Sequence, residues 1–213
     1  NLAMINLLKL DQKHINQIKE IKNELDVAIT LSLGERNFAE YERWRAAGAD
    51  RYLLKHETAN SKLYSMYHQG DELENRLNHL HFLKSIGYQT GSGNIVGLPE
   101  QSLEDIADDL LLLKELNVDM ASISPFIPSP ETPFGNKTKA NIDLTLKAMA
   151  VARIVLKDVH IPATTALGTL DKHGREKGLR VGANVIMPNY TPNPYRKNYQ
   201  IYPDKLCVSD DPL

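Results

Sequence analysis

The sequence predicts an α/β protein, a (β/α)8 TIM-type barrel represented here by a partial barrel of about six βα units. Two observations carry that expectation. Short β-rich runs alternate strictly with helical patterns, which means parallel strands with helices packed outside them. Six such units in 213 residues are only somewhat looser than the ~31 residues per unit of a (β/α)8 barrel. An open doubly wound sheet is the structural rival. It is weakened because no G-x-G-x-x-G follows the first strand.

The elements follow in order. Asn1-Leu-Ala-Met-Ile-Asn-Leu-Leu-Lys-Leu10 reads on into Ile15, Ile18, Ile21 and Leu25, which share a helix face. A chain that opens inside a pattern already under way is expected to be N-terminally truncated. Strand candidates are Val27–Leu31, Arg51–Leu54, Gln89–Val96, Met120–Ser124, Ile161–Thr165 and Asn184–Met187. Helical stretches lie near Phe38–Ala47, Glu72–Ile86, Leu103–Leu116, Asp143–Leu156 and Lys172–Val181. The second carries Leu73, Leu77, Leu80 and Leu83 on one stripe and stops at Gly87, a natural residue to follow a helix. The third follows Ser102 with Asp105 at capping-box distance, and should bury Ile106, Leu110 and Leu113. Residues 1–203 are expected to form the barrel portion and 204–213 a C-terminal tail.

Composition narrows the function. A net charge of −2 with no Lys/Arg stripe argues against nucleic-acid and membrane-surface partners. No apolar run approaches the ~20 residues a membrane span requires. A single cysteine, Cys207, excludes an internal disulfide framework and fits a reducing cytoplasm. The scattered histidines, including His79 and His81 two apart, offer no metal-ligand spacing, and neither a nucleophile elbow nor a Walker A loop is present.

In barrels and open parallel sheets, ligands meet the C-terminal ends of the strands. Those ends here supply Thr30 and Ser32; Lys55, His56, Glu57 and Thr58; Ser92 and Asn94; Ser122 and Ser124; Thr164 and Thr165; and, after the last strand, Tyr190, Tyr195, Tyr199 and Tyr202. Glu57 is placed to accept both hydroxyls of a ribose, or to form a salt bridge with a neighbouring base. Arg76 sits in the first turn of a helix, where a cation opposes the dipole. It either meets an anionic ligand through a bidentate fork or is compensated by Glu72 and Glu74. Thr164 and Thr165 suit a ligand carboxylate, or are ordinary β-branched strand residues. Tyr199 and Tyr202 line a pocket or pack the closing segment.

Gly93-Asn-Ile-Val-Gly97-Leu-Pro-Glu100 ends a strand-like run ahead of an amphipathic helix. Two glycines four apart permit close backbone approach to a flat ligand, with Ile95 as an apolar surface between them. This G-x-I-x-G-x-x-E pattern resembles the fifth-strand motif of radical S-adenosylmethionine (SAM) enzymes. If Gln89–Val96 is a fifth strand, two strands precede it here, two are missing, and the six candidates become strands three to eight. Longer runs are similar to one subfamily, the HydE maturases of [FeFe]-hydrogenase: Arg51–Asn60, Ser124–Pro128, Ile161–Thr169, Gly182–Asn189 and Tyr199–Pro203. The resemblance extends from about Thr30 to Cys207.

The resemblance implies an enzyme in which a [4Fe-4S] cluster binds SAM and reductively cleaves it to a 5′-deoxyadenosyl radical during assembly of the hydrogenase diiron cofactor. It implies SAM contacts from Glu57 (ribose), Arg76 (carboxylate) and Gly93, Ile95 and Gly97 (adenosine). The substrate cavity would be lined by Ser32, Lys55, Thr164, Thr165, Tyr199 and Tyr202. The substrate would be a small organometallic or amino-acid-derived molecule, and other hydrogenase maturation proteins would be partners. Three departures stand against the family pattern. The CxxxCxxC segment is absent, so no catalytic residue or metal ligand is identified in this chain and the isolated chain is expected to be inactive. Lys55 stands where the family often has Arg. Cys207 matches the first ligand of an accessory cluster found in some members, but the tail after it, Val-Ser-Asp-Asp-Pro-Leu, lacks the partners. Alternatives are another biotin-synthase-like enzyme of the methylornithine synthase type, a non-catalytic barrel remnant that binds a partner, and an aldolase-type barrel using Lys55.

Overall fold

Asn37 shows how local sequence starts an element. Its side chain accepts the Ala39 N–H at 3.0 Å while Glu40 reaches back to the Asn37 N–H at 3.1 Å, a reciprocal cap that opens helix α2 (Phe38–Ala47). The computed structural model describes residues 2–196, 198 and 201–205. Before α2 lie α1 (Leu2–Glu24) and β1 (Thr30–Leu31); after it come β2 (Arg51–Leu53), α3 (Ser61–Tyr67), α4 (Leu73–Ser85) and β3 (Gln89–Val96). The chain continues through α5 (Leu103–Glu115), β4 (Met120–Pro125), α6 (Ile142–Leu156), α7 (Thr165–Leu170), α8 (Gly174–Val181) and α9 (Asn193–Arg196). Among these residues no helix is long and apolar enough to cross a membrane.

The four strands form one parallel sheet in sequential order, β1-β2-β3-β4. That is the order of a barrel wall. The doubly wound rival reverses its strand order at a switch point, and no such reversal occurs within this sheet. Three of the six expected strands are shorter by more than a residue than the sequence suggests, the first being paired only over Thr30–Leu31 and not from Val27. Ile161–Thr165 and Asn184–Met187 are reduced to single parallel bridges, Met120 with His160 and Pro162 with Val185. The reason is local. Pro162 has no N–H for a ladder, and Thr164 serves as the N-cap of α7, its hydroxyl accepting the Leu167 N–H at 3.4 Å. The spatial order of the wall nonetheless continues past β4: Ala121 donates to the His160 carbonyl at 2.8 Å and Ala163 to that of Val185 at 2.9 Å.

The predicted stripes are buried. Ile106, Leu110 and Leu113 of α5 pack inward, with Ser102 and Asp105 forming the expected capping box. Leu73, Leu80 and Leu83 of α4 are buried, and Leu77 packs partly against the core. On α1 the stripe is only half used: Ile18 is buried, whereas Ile21, and Leu25 just past the helix end, are exposed. A dense aromatic layer fills the space between β2 and its helices. Tyr52 meets Tyr41 edge-on at 5.0 Å, stacks parallel to Trp44 at 6.4 Å and meets Tyr88 at 5.8 Å. Its hydroxyl donates to the Gly34 carbonyl at 2.8 Å, which satisfies the one polar atom the ring buries.

Candidate functional site

The site begins with a fault in the β2–β3 register. Leu53 pairs with Gly91, yet Glu57 pairs with Asn94, so four residues on one side match three on the other. One residue is extra, which is a β-bulge, and bulges sit preferentially where a side chain must be re-aimed. His56 occupies the bulge. Its backbone N–H finds the Ser92 hydroxyl at 3.1 Å, and the same hydroxyl meets its ring Nδ1 at 2.9 Å. The chain recovers its phase through Glu57. Thr58 donates to the His56 carbonyl at 2.8 Å, a three-residue turn, and Glu57 at its centre takes φ = 68°. That is the strained form of the γ-turn, rare for a residue with a side chain. Ladder bonds on both sides hold it: Glu57 N to Gly93 O at 2.8 Å and Ile95 N to Glu57 O at 2.9 Å.

The result is a cleft of about 500 Å³ at the C-terminal end of the strands. Lys55, Glu57, Ile95, Ser122 and Ser124 line one wall, and Thr164, Thr165, Met187, Ile201, Tyr202 and Lys205 another. Burial would raise the Glu57 pKa, but a hydrogen bond from His68 and the charges of Lys55 and Arg76 outweigh it and hold the carboxyl below its usual range. Burial pushes the Lys55 ammonium the other way, below the normal lysine value, with Glu57 and Asp109 partly opposing. The cleft thus presents a fixed anion, a cation that is poorly solvated, and a rim of hydroxyls that accept or donate without charge.

Behind the cleft, on the helix side of the sheet, lies a second polar cluster. Asp109 of α5 is fully buried and accepts the Ala59 N–H at 2.5 Å, Asn94 Nδ2 at 3.0 Å and Gln101 Nε2 at 3.2 Å. Gln101 in turn donates to Ile95 O at 3.0 Å and accepts the Gly97 and Leu98 N–H groups at 2.7 and 3.2 Å. One carboxylate therefore ties together the loop after Glu57, strand β3 and the turn at Gly97. Burial raises its pKa to about 6 despite those donors. His56 is pushed down to about 3 by burial and by Lys55, and is neutral.

The sequence-predicted residues divide by face. Lys55, Glu57, Ile95, Thr164, Thr165 and Tyr202 meet at the cleft. His56, Thr58, Ser92 and Asn94, on the same strand ends, are buried on the opposite side. Arg76 is joined to Glu35 through Nε and to the Lys55 carbonyl through Nη1 at 2.7 Å, so its compensating acid is Glu35 in the β1–α2 loop and not Glu72 or Glu74. Ser32 is exposed beyond β1 and does not line the cleft. The two motif glycines find their immediate use inside the protein. A Cβ on Gly93 would fall on the Ser122 carbonyl, and one on Gly97 (φ = 83°) would lie 2.7 Å from Ala140 Cβ. Tyr199 and Cys207 lie outside the described residues. His68, Asp109 and Gln101 were not singled out from sequence. Asp109 carried a weak signal, an acid on the buried stripe one residue before Leu110, whereas His68 carried none.

Within the described residues no group of three or more His, Cys, Asp or Glu side chains is arranged to hold a metal ion. A parallel wall, a bulge that delivers a carboxylate to the strand ends and a hydroxyl-rimmed cleft define the chain's class: a partial parallel α/β barrel with its site at the strand ends. The crystal structure of methylornithine synthase (PylB) superposes with a TM-score of 0.74 at 26% identity, covering 82% of this chain and 51% of that one. HydG, a maturase of the [FeFe]-hydrogenase, shares the fold with a TM-score of 0.66 at 16% identity, covering 83% of this chain and 42% of that one. In sequence the chain is HydE-like. It is 57% identical over 191 residues to the [FeFe] hydrogenase maturase subunit HydE of Thermotoga maritima, covering 90% of this chain and 55% of that protein. It is 29% identical over 175 residues to 3-methylornithine synthase of Methanosarcina acetivorans, covering 82% of this chain and 49% of that protein. The chain spans about half the length of the curated relatives it matches. No protein-family model matches it.

Proposed function

We propose that this chain supplies the SAM- and substrate-holding wall of a cytoplasmic radical SAM enzyme acting in assembly of the [FeFe]-hydrogenase diiron cofactor. The observation that carries the reading is the convergence of Glu57, Lys55, Thr164 and Thr165 on one cleft in a chain 57% identical to HydE. Residues 1–203 form the barrel portion and 204–213 a tail. SAM, when bound, supplies the adenosyl group. Glu57, held ionised, accepts the ribose hydroxyls, and Ile95 offers its apolar face to the base. Arg76, anchored by Glu35, offers the amino-acid carboxylate its Nη2, which makes no hydrogen bond among the described residues. Lys55 and the Thr164–Thr165 hydroxyls orient a small anionic substrate, organometallic or derived from an amino acid. Other hydrogenase maturation proteins are the expected partners.

A [4Fe-4S] cluster requires several thiolates, and the sequence holds one cysteine, Cys207. These residues do not fit that group by themselves, and the roles assigned above are binding and orientation. Calorimetric titration of the chain with SAM tests them. Saturable binding that Glu57→Gln weakens about tenfold supports the reading, a size expected for a charge-assisted hydrogen bond. Binding indifferent to Glu57 and Arg76 refutes it. The 3-methylornithine synthase reading rests on the PylB superposition. It is favoured if ornithine-like amino acids compete for the cleft and cysteine-derived ones do not.

A further inference from the structure

Glu57 has its backbone fixed by the bulge and turn, but a glutamate carboxylate still rotates about its side-chain bonds. One group restrains it. His68, at the C-terminal end of α3, places Nε2 3.0 Å from Glu57 Oε2. A carboxylate held ionised only accepts, so Nε2 carries the proton and donates. Oε1 makes no hydrogen bond among the described residues. The His68 ring stacks on Tyr64 at 4.4 Å and 26°, and Tyr64 is fully buried. The Arg76 guanidinium lies over the same Tyr64 ring at 5.8 Å, and the Tyr64 hydroxyl donates to Asp71 at 3.3 Å. The helix that carries His68 is itself pinned: Asn60 caps it through the Lys62 and Leu63 N–H groups and donates to Asp105 of α5 at 2.7 Å.

We infer that His68 is the positioning residue for Glu57: by holding Oε2 it turns Oε1 toward the cleft as the acceptor that selects a ribose bearing hydroxyls. This deepens the reading given above and rests on it. Because His68 and Arg76 pack on the same Tyr64 ring, the two ends of the ligand are held by one rigid unit. His68 does not touch the ligand; its effect is specificity for the sugar.

The test is competition of adenosine and of 2′,3′-dideoxyadenosine against SAM on the full chain. The two nucleosides differ only in the hydroxyls that Glu57 would accept. The wild-type chain should prefer adenosine by about tenfold, as expected for one good charge-assisted hydrogen bond. His68→Phe keeps a ring against Tyr64 and removes the donor; it should bring the preference close to one while leaving dideoxyadenosine affinity and the melting midpoint unchanged. His68→Gln restores an N–H donor and should recover part of the preference. A preference lost in Glu57→Gln but intact in His68→Phe overturns the assignment of His68 alone. A wild-type chain that does not distinguish the nucleosides overturns the ribose role of Glu57 and the assignment of His68 with it. A general loss of affinity for both nucleosides in His68→Phe, unrescued by His68→Gln, makes His68 merely structural and also counts against it.

Discussion

Strand β2 runs between two environments, and the contrast between them separates stability from function. At its start the side chain facing the helices is Tyr52, packed in an aromatic layer with Tyr41, Trp44 and Tyr88. Four residues on, the side chain facing the same way is His56, beside Ser92, with Asn94 and Asp109 beyond. The aromatic end carries few polar atoms: the Tyr52 and Tyr88 hydroxyls each donate to a backbone carbonyl, Tyr88 to Tyr41 O at 2.9 Å, and Trp44 Nε1 has no partner among the described residues. The polar end retains titratable groups in a place where burial works against their charged forms. Barrels show this division generally: the strand starts carry the packing and the strand ends the chemistry.

The contrast is broken most strongly by truncating the aromatic end. Trp44→Ala should cost about 3–5 kcal/mol in urea unfolding, with SAM affinity per folded molecule unchanged. If affinity falls in proportion to stability, the two ends are not separable.

The next effect is in pH. Asp109 binds its proton more tightly folded, at about 6, than unfolded, at 3.8, so its contribution is fully present below about pH 4 and lost as pH rises through 6. His56 runs the opposite way, from 6.5 unfolded to about 3 folded, so its contribution is present above 6.5 and lost as pH falls. Each amounts to about 2–3 kcal/mol across pH 4 to 6, and the two slopes oppose. The wild-type chain should therefore change little from these groups over that window. Asp109→Asn should expose the His56 slope, losing about 1.4 kcal/mol per pH unit on acidification. Parallel unfolding profiles for the two proteins would sink the account.

Two helix caps give the finest comparison. Asn37→Ala and Asn60→Ala should each cost about 1 kcal/mol, because each removes a side-chain acceptor from a helix start. Only Asn60→Ala should also weaken nucleoside binding, since α3 carries His68. Equal binding in both variants would detach α3 from the site.

The sequence made much of the frame legible. The range Phe38–Ala47 for α2 and Gln89–Val96 for β3 are recovered to the residue, the latter because the Gly93–Gly97 segment marks its end plainly. Helix α3 was not legible: seven residues are too short for a periodic pattern, and Asn60 alone did not signal a start. Thr164-Thr165 reads as strand by β-branching, yet a threonine hydroxyl is equally a cap, and tertiary context decided for the cap. The site was half legible. Glu57, Lys55 and Ile95 could be placed at strand ends, but which face each strand-end residue takes depends on the bulge, and a bulge leaves no mark on one strand read alone. The Glu35–Arg76 pair joins residues 41 apart in the chain and likewise becomes visible only on folding.

The bulge at His56 also means that the position of the carboxylate is stored as a phase between two strands. Removing His56 would bring the residues after it into regular register, with Glu57 still opposite Asn94 but now sharing its orientation, toward Asp109 and away from the cleft. No composition would change near the ligand, and every cleft residue but one would remain. Deletions and insertions of a single residue between Leu53 and Glu57 are thus the mutations to which this site is most exposed.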